Sequence, residues 1–209
     1  MKAEHFFTKD EAGRIEKAVR SAETRTIGEI VPMIVAESDD YTEIQYAGGL
    51  VIAVAAFILL ALTCWPASPF IILLTELVGF VAGFALFGLP ALTRFVLSRA
   101  VIDENIRDRA SRAFYEHGLN RTREETGVLI MISLLEHRVQ VLADRGINEK
   151  VEPGTWDEIV SMIIRGIKEG KTCDAFCRAI EQCGDLLSEH FPIRPDDINE
   201  LDNRLITEQ

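Results

Sequence analysis

Several signatures of familiar chemistry are missing from this 209-residue chain: a Gly-rich phosphate loop, an HExxH helix and a paired Cys-x-x-Cys knuckle. Their absence removes the P-loop, zincin and zinc-ribbon readings. The four histidines, His5, His117, His137 and His190, are scattered and offer no metal-ligand spacing. A basic stripe is also missing. With 22 Lys and Arg against 33 Asp and Glu, the net charge of −11 excludes the clustered positive face that nucleic acid requires. Cysteine is sparse, at Cys64, Cys173, Cys177 and Cys183, a poor pattern for a secreted disulfide framework and a better fit to a reducing compartment. Cys183 falls on an apolar helical face, so core thiols are expected rather than zinc ligands.

The largest absence is of charge itself: from Ile44 to Thr75 no charged residue occurs. Tyr46 to Cys64 is one continuous apolar run, about 28 Å long as a helix at ~1.5 Å per residue, close to the ~30 Å of a bilayer's hydrocarbon core. Phe70 to Leu89 is a second run, reached through Trp65-Pro-Ala-Ser-Pro69, whose prolines stop one helix and start the next. So short a connection makes an antiparallel hairpin. A buried hairpin in a large soluble core is the alternative, but adjacent runs of this length beside Trp65, an interfacial anchor, predict membrane spans.

The first run starts some forty residues in, after a segment that reads as helix and strand, so a retained anchor is expected rather than a cleaved signal. Arg94 and Arg99 follow the second run and the connecting loop carries no positive charge. By the positive-inside rule, both flanks are then expected on the cytoplasmic side of a multi-pass protein of the cell inner membrane. Glu76 lies about 9 Å inside the second run at ~1.5 Å per residue. An intramembrane carboxylate suggests function, and the plainer reading is a protonated or water-reached group near the interface. Gly79 and Gly83 make a small-residue face opposite Gly49 and Ala53, suited to packing within the hairpin or to a homo-oligomer.

The remainder predicts one α/β domain. Thr8-Lys-Asp-Glu11 is a capping box opening a helix to about Thr24. Gly28 to Ala36 is a buried strand, which Pro32 places at an edge. Leu92 to His117 reads as one long helix stopped by Gly118. Gly127–Ser133 and His137–Ala143 form a β-hairpin. Thr155-Trp-Asp-Glu158 is a second capping box, with Trp156 in the core and the helix ending at Gly170. A helix after Thr172 turns Phe176, Ala179, Ile180, Cys183 and Leu187 inward, and Pro195 starts a last short helix. The expected fold is a small mixed sheet flanked by helices and interrupted by a two-helix transmembrane hairpin. Its parts are residues 1–43, 44–90 and 91–209.

If the strand at 28–36 and the strand at 127–133 are parallel, their ends group the acidic residues. Glu37, Asp39, Asp40, Glu136 and His137 gather at one edge. Glu29, Glu125, Asp144 and Arg145 gather at the other. Either could hold a hard cation such as Ca2+ or Mg2+ through two or three carboxylates and backbone carbonyls, with Glu29, Asp144, Asp39 and Asp40 as metal candidates. A solvated acidic edge is the plain alternative. Asp144 beside Arg145 falls short of the metal pair, or the nucleophile, base and cationic clamp, that phosphate-ester hydrolysis needs.

Several segments in order resemble the TPM domain, found in thylakoid and photosystem II repair proteins and in many bacterial membrane proteins. They are Phe7 to Glu11, Glu23-Thr-Arg-Thr-Ile-Gly-Glu-Ile30, Thr126-Gly-Val-Leu-Ile130, Arg138-Val-Gln-Val141 with Asp144-Arg-Gly-Ile147, Trp156 before Ile159, and Leu187 to Pro192 followed by Asn199-Glu-Leu201. The resemblance implies a compact α/β fold with a few central strands, divalent cation binding in some members, and acid phosphatase activity in plant relatives. This chain departs from the family by splitting the domain with its hairpin. The expected function is therefore a membrane-anchored interaction or maintenance module whose partners are lipid and other membrane proteins. The alternatives are a metal-dependent phosphatase held at the membrane, or a channel element built from several copies around Glu76.

Overall fold

A computed structural model describes residues 3–63, 66 and 68–208. The proposed anchor Trp65, with Cys64, lies outside the described residues. In chain order the elements are α1 (Lys9–Glu23), β1 (Glu29–Val35), α2 (Thr42–Thr63), α3 (Pro69–Phe87), α4 (Pro90–Val96), α5 (Arg99–Glu116), β2 (Gly127–Ser133), β3 (Arg138–Ala143), α6 (Arg145–Asn148), α7 (Thr155–Lys168), α8 (Thr172–His190) and β4 (Ile206–Glu208). They make two compact units, Met1–Ser38 with Asp103–Gln209, and Asp39–Ile102.

The first unit is a four-stranded mixed sheet of order β3-β2-β1-β4. β1 runs parallel to β2 and to β4, and β2 and β3 form the expected antiparallel hairpin, turned through His137 at φ 54°. All seven residues of both β1 and β2 are buried, so both sheet faces are covered. On one face Ile30, Ile34, Val128, Ile130 and Ile132 pack with Ile15 and Val19 of α1, Ile159 and Ile163 of α7, and Phe176 and Ile180 of α8. α5 reaches both outer strands, through Asp103 with Arg138 on β3 and Arg109 with Glu208 on β4. Val31, Met33, Leu129 and Met131, on the second face, are at most 2% exposed.

Thr8 caps α1 with both bonds of its capping box: the Glu11 amide donates to the Thr8 hydroxyl, and the Thr8 amide to the Glu11 carboxylate. The inward residues of α8 are those expected, each buried to within 1%.

Four local expectations are corrected. β1 is an interior strand rather than an edge. Pro32 is tolerated because alternate amides of β1 face opposite neighbours: the Glu29 amide donates toward β2 to Thr126, and the Ala36 amide toward β4 to Glu208. Position 32 faces the β4 side, and β4 pairs only from Met33 onward, so the missing N–H costs no ladder bond. The long helix predicted from Leu92 is two helices, because the chain turns extended at Leu97 (ψ 128°) and restarts at Ser98, whose hydroxyl accepts from the Val101 amide.

Thr155 does not cap α7. Gly154 takes the cap position at φ 92°, and the Thr155 hydroxyl donates back to the Glu152 carbonyl. Finally, residues 195–205 are not helical. Asn199 and Asn203 bond each other, Asp202 accepts the Arg204 amide, and the Glu200 amide is drawn onto Glu29, which leads the chain into β4.

The second unit centres on α2 and α3, packed as an antiparallel hairpin. Gly48, Gly49 and Ala53 of α2 and Gly79 and Gly83 of α3 are the buried residues of the two helices. A Cβ at Gly83 would meet the Gly48 carbonyl oxygen at 2.6 Å, and one at Gly79 would meet Ala53 Cα at 3.1 Å. The glycines therefore let the two backbones approach, as expected for packing within the hairpin.

Candidate functional site

Acidic residues at the start of the sheet form a largely buried polar site in the first unit. Glu23, the last residue of α1, folds back so that one carboxylate oxygen accepts the Ile30 amide at 2.9 Å. That amide faces the side where β4 has not yet begun, so the carboxylate takes the place of a missing strand carbonyl. The other oxygen of Glu23 accepts from the Asn203 amide.

Glu29 opens β1, is 4% exposed, and accepts the Glu200 amide at 2.8 Å through Oε1. Its Oε2 is buried and has no hydrogen-bond donor among the described residues. The Glu23 and Glu29 carboxyls are close enough to interact directly. Burial first, and then the neighbouring Glu29, push Glu23 up to about 8. Burial raises Glu29 as well, against the lowering effect of the Glu200 amide. Glu23 therefore holds its proton at neutral pH.

Both carboxyls line an open hollow of about 450 Å³ together with Arg20, Thr26, Asp197, Asn199 and Asn203. Its outer wall is the segment after α8. That segment is fastened by the Ile27 amide to Phe191, the Ile193 amide to Arg25, the Arg123 amide to Glu200, and the ion pair of Arg194 with Glu124. Arg20, also in the lining, pairs with Glu16 at 2.6 Å.

Glu29 and Asp144 share one end of the sheet, as expected: Glu29 is registered on Gly127, whose carbonyl accepts the Asp144 amide. They do different work. Asp144 caps α6 by accepting the Arg145 amide at 2.7 Å, and its Oδ2 is buried without a partner among the described residues. At the opposite end, Glu136 is turned inward, 1% exposed, and accepts from the Ser38 amide and hydroxyl and from the Ser133 hydroxyl. Asp39 and Asp40 belong to the other unit, where they form the turn before α2: Asp39 accepts the Asp40 amide, and Asp40 the Thr42 amide at 3.1 Å. Among the described residues no group of three or more His, Cys, Asp or Glu is placed to hold a metal ion.

Sequence reasoning missed Glu23 as the neighbour of Glu29. The signal was available, because a carboxylate ending a helix six residues before a buried carboxylate opening a strand can fold back over a tight connection.

The histidines do not converge. His117 bonds Glu208 at 3.0 Å, His137 sits in the hairpin turn, and His190 ends α8. Cys183 is fully enclosed and burial pushes its thiol up to about 12, as it does that of Cys177, so both are protonated core groups rather than nucleophiles.

In the second unit α2 and α3 are both long and apolar enough to cross a membrane, with mean hydropathy of 2.3 and 2.4, and only 17% and 11% of their most apolar stretches are buried. Leu62, Phe70 and Leu73 are 80%, 73% and 69% exposed. Glu76 on α3 is half-buried, with Oε1 lacking a partner among the described residues.

A TPM domain family model matches residues 92–186. The NMR structure of BA42 protein from the psychrophilic bacterium Bizionia argentinensis is similar in fold, with a TM-score of 0.61 and 22% identity over 98% of this chain and 96% of that one. No curated protein matches the chain in sequence.

Proposed function

We propose that this TPM-domain chain is held in a membrane by the α2–α3 hairpin and serves there as a non-catalytic interaction or maintenance module for other membrane components. The observation that supports the reading is the apolar exterior of the hairpin. A soluble protein does not leave two helices of this length uncovered, because a contiguous exposed apolar surface beyond a few hundred Å² drives association. Lipid is the cover that suits helices whose backbone bonds are satisfied internally. Arg94 and Arg99, following the second span, support a cytoplasmic side for the soluble domain by the positive-inside rule.

A non-catalytic role is supported by the layout of the polar groups. Among the described residues the lining of the hollow that holds the two carboxyls includes no histidine, and its arginine is paired with Glu16. Phosphoryl transfer would need an uncommitted cationic clamp and a positioned nucleophile.

The test is extraction of membranes at alkaline pH with carbonate, followed by assay of the detergent-purified protein on a phosphate-ester substrate. Retention in the pellet and no turnover are expected. Release into the supernatant would sink the membrane reading, and turnover abolished by Glu29→Gln would replace the interaction module with a membrane-held phosphatase.

A further inference from the structure

The helix α3 runs 19 residues from Pro69 to Phe87, about 28 Å at ~1.5 Å per residue, so Leu89 and Pro90 fall where a hydrocarbon core of about 30 Å gives way to headgroups. The start of α2 reaches the same end of the hairpin, since a Cβ at Gly88 would meet the Gln45 side chain at 3.5 Å. There the helix is broken. Gly88 caps α3, Leu89 is extended (ψ 126°), and Pro90 opens α4 as a separate helix. Thr93 ties α4 back: it is buried, and its hydroxyl donates to the Phe87 carbonyl in the last turn of α3 at 2.8 Å.

Thr93 is the buried residue of α4. At about 100° per residue, the side opposite Thr93 carries Ala91 and Phe95, with Leu92 and Val96 on one flank and Arg94 on the other. Phe95 is 85% exposed, and Leu86, Leu89 and Val96 are exposed as well. So are Arg94 and Arg99. Isolated helices shorter than about 12–15 residues are marginal in water, so a helix of seven residues that buries one threonine needs a cover for its apolar side. Its level at the end of the span, and the exposed apolar residues that lead to it from α3, identify that cover as lipid.

We propose that α4 is an in-plane foot of the membrane anchor, lying in the headgroup layer with Phe95, Leu92 and Val96 at the acyl boundary and with Arg94 and Arg99 against lipid phosphate. Apolar burial on one side and attraction of cations to phosphate on the other stabilise short amphipathic helices in that layer. The inference rests on the membrane reading given above and adds to it a third lipid-contacting element at a defined depth. The chain then leaves the bilayer from a fixed level, because Leu97 is extended (ψ 128°) and α5 restarts at Ser98.

The experiment uses full-length Phe95→Trp and, as a depth marker, Val78→Trp, an exposed position in the middle of α3. Each is reconstituted into phosphatidylcholine vesicles whose acyl chains are brominated either near the headgroup or near the chain end, and the emission added over wild type is followed. Val78→Trp should be quenched more by the deep label. Phe95→Trp should be blue-shifted and quenched more by the shallow label, and adding Arg94→Glu with Arg99→Glu should reduce that quenching. Unchanged quenching in the charge-reversed protein overturns the phosphate contact. Phe95→Trp unquenched while Val78→Trp is quenched overturns the foot and leaves the anchor standing; a blue shift in that case assigns the cover to protein, a second copy or a partner. Deeper quenching at position 95 makes α4 part of the span and equally overturns the foot. If neither variant is quenched, the membrane reading fails and this inference with it.

Discussion

At the scale of single residues, position in the backbone ladder explains more than residue type. Glu23 and Glu29 are two acidic residues among 33, yet Glu23 is needed because the Ile30 amide would otherwise face a gap beside a buried strand. The pair has a pH signature. Glu23 is raised from 4.5 to about 8, so between those values the folded protein holds a proton that the unfolded chain lacks. That contribution is fully present below pH 4.5 and is lost as pH rises through 8. In cation-free solution, stability against urea should fall between about pH 5 and 8, by at most about 1.4 kcal/mol per pH unit from this group. Glu23→Gln should flatten the slope, and a wild-type midpoint rising across the range would contradict the account.

At the scale of elements, small residues decide how α2 meets α3. Gly83 has the Gly48 carbonyl oxygen 2.6 Å from where its Cβ would sit, and backbone cannot give way as a flexible side chain can. Gly83→Val should force the helices apart and cost about 1–3 kcal/mol, read as a lower melting temperature in mild detergent. Gly88→Ala is the matched control, since its Cβ would find only ordinary contacts at 3.5 Å. An unchanged melting temperature in Gly83→Val would show that the hairpin packs some other way. Phe80, stacked 6.4 Å from Phe84, and Tyr46 edge-on to Phe84 at 5.2 Å add aromatic contacts along the same pair.

At the scale of the molecule, the chain leaves the first unit after Ser38 and re-enters it at Asp103, so β1 and its parallel partner β2 are separated in sequence by the whole hairpin. The first unit nevertheless closes its own core from residues on both sides of the interruption. Replacing residues 39–102 with a flexible Gly/Ser linker should therefore give a water-soluble protein that unfolds cooperatively without detergent. A product that is soluble but molten would show that the hairpin is needed to bring β1 onto β2. Long-range pairing of this kind is entropically costly to nucleate, although the cost grows only slowly with loop length.

The sequence by itself determined whatever rests on local periodicity: the two long apolar runs that become α2 and α3, the capping box at Thr8, the β2–β3 hairpin and the inward face of α8. These are readable because an apolar period or a cap is a property of neighbours in the chain. Only the tertiary structure decided what depends on distant partners. Pro32 reads as an edge marker, and it took the short reach of β4 to show an interior strand with one uncovered side. Pro195 reads as the start of a last short helix, but the Glu200 amide is held on Glu29 and the segment ends as a strand. Asp144 and Glu29 were legible as acids at one end of the sheet. That one is a helix cap and the other half of a buried carboxyl pair follows from which amides each accepts, and that is fixed by the packing of α1, β1 and the 193–203 segment around them.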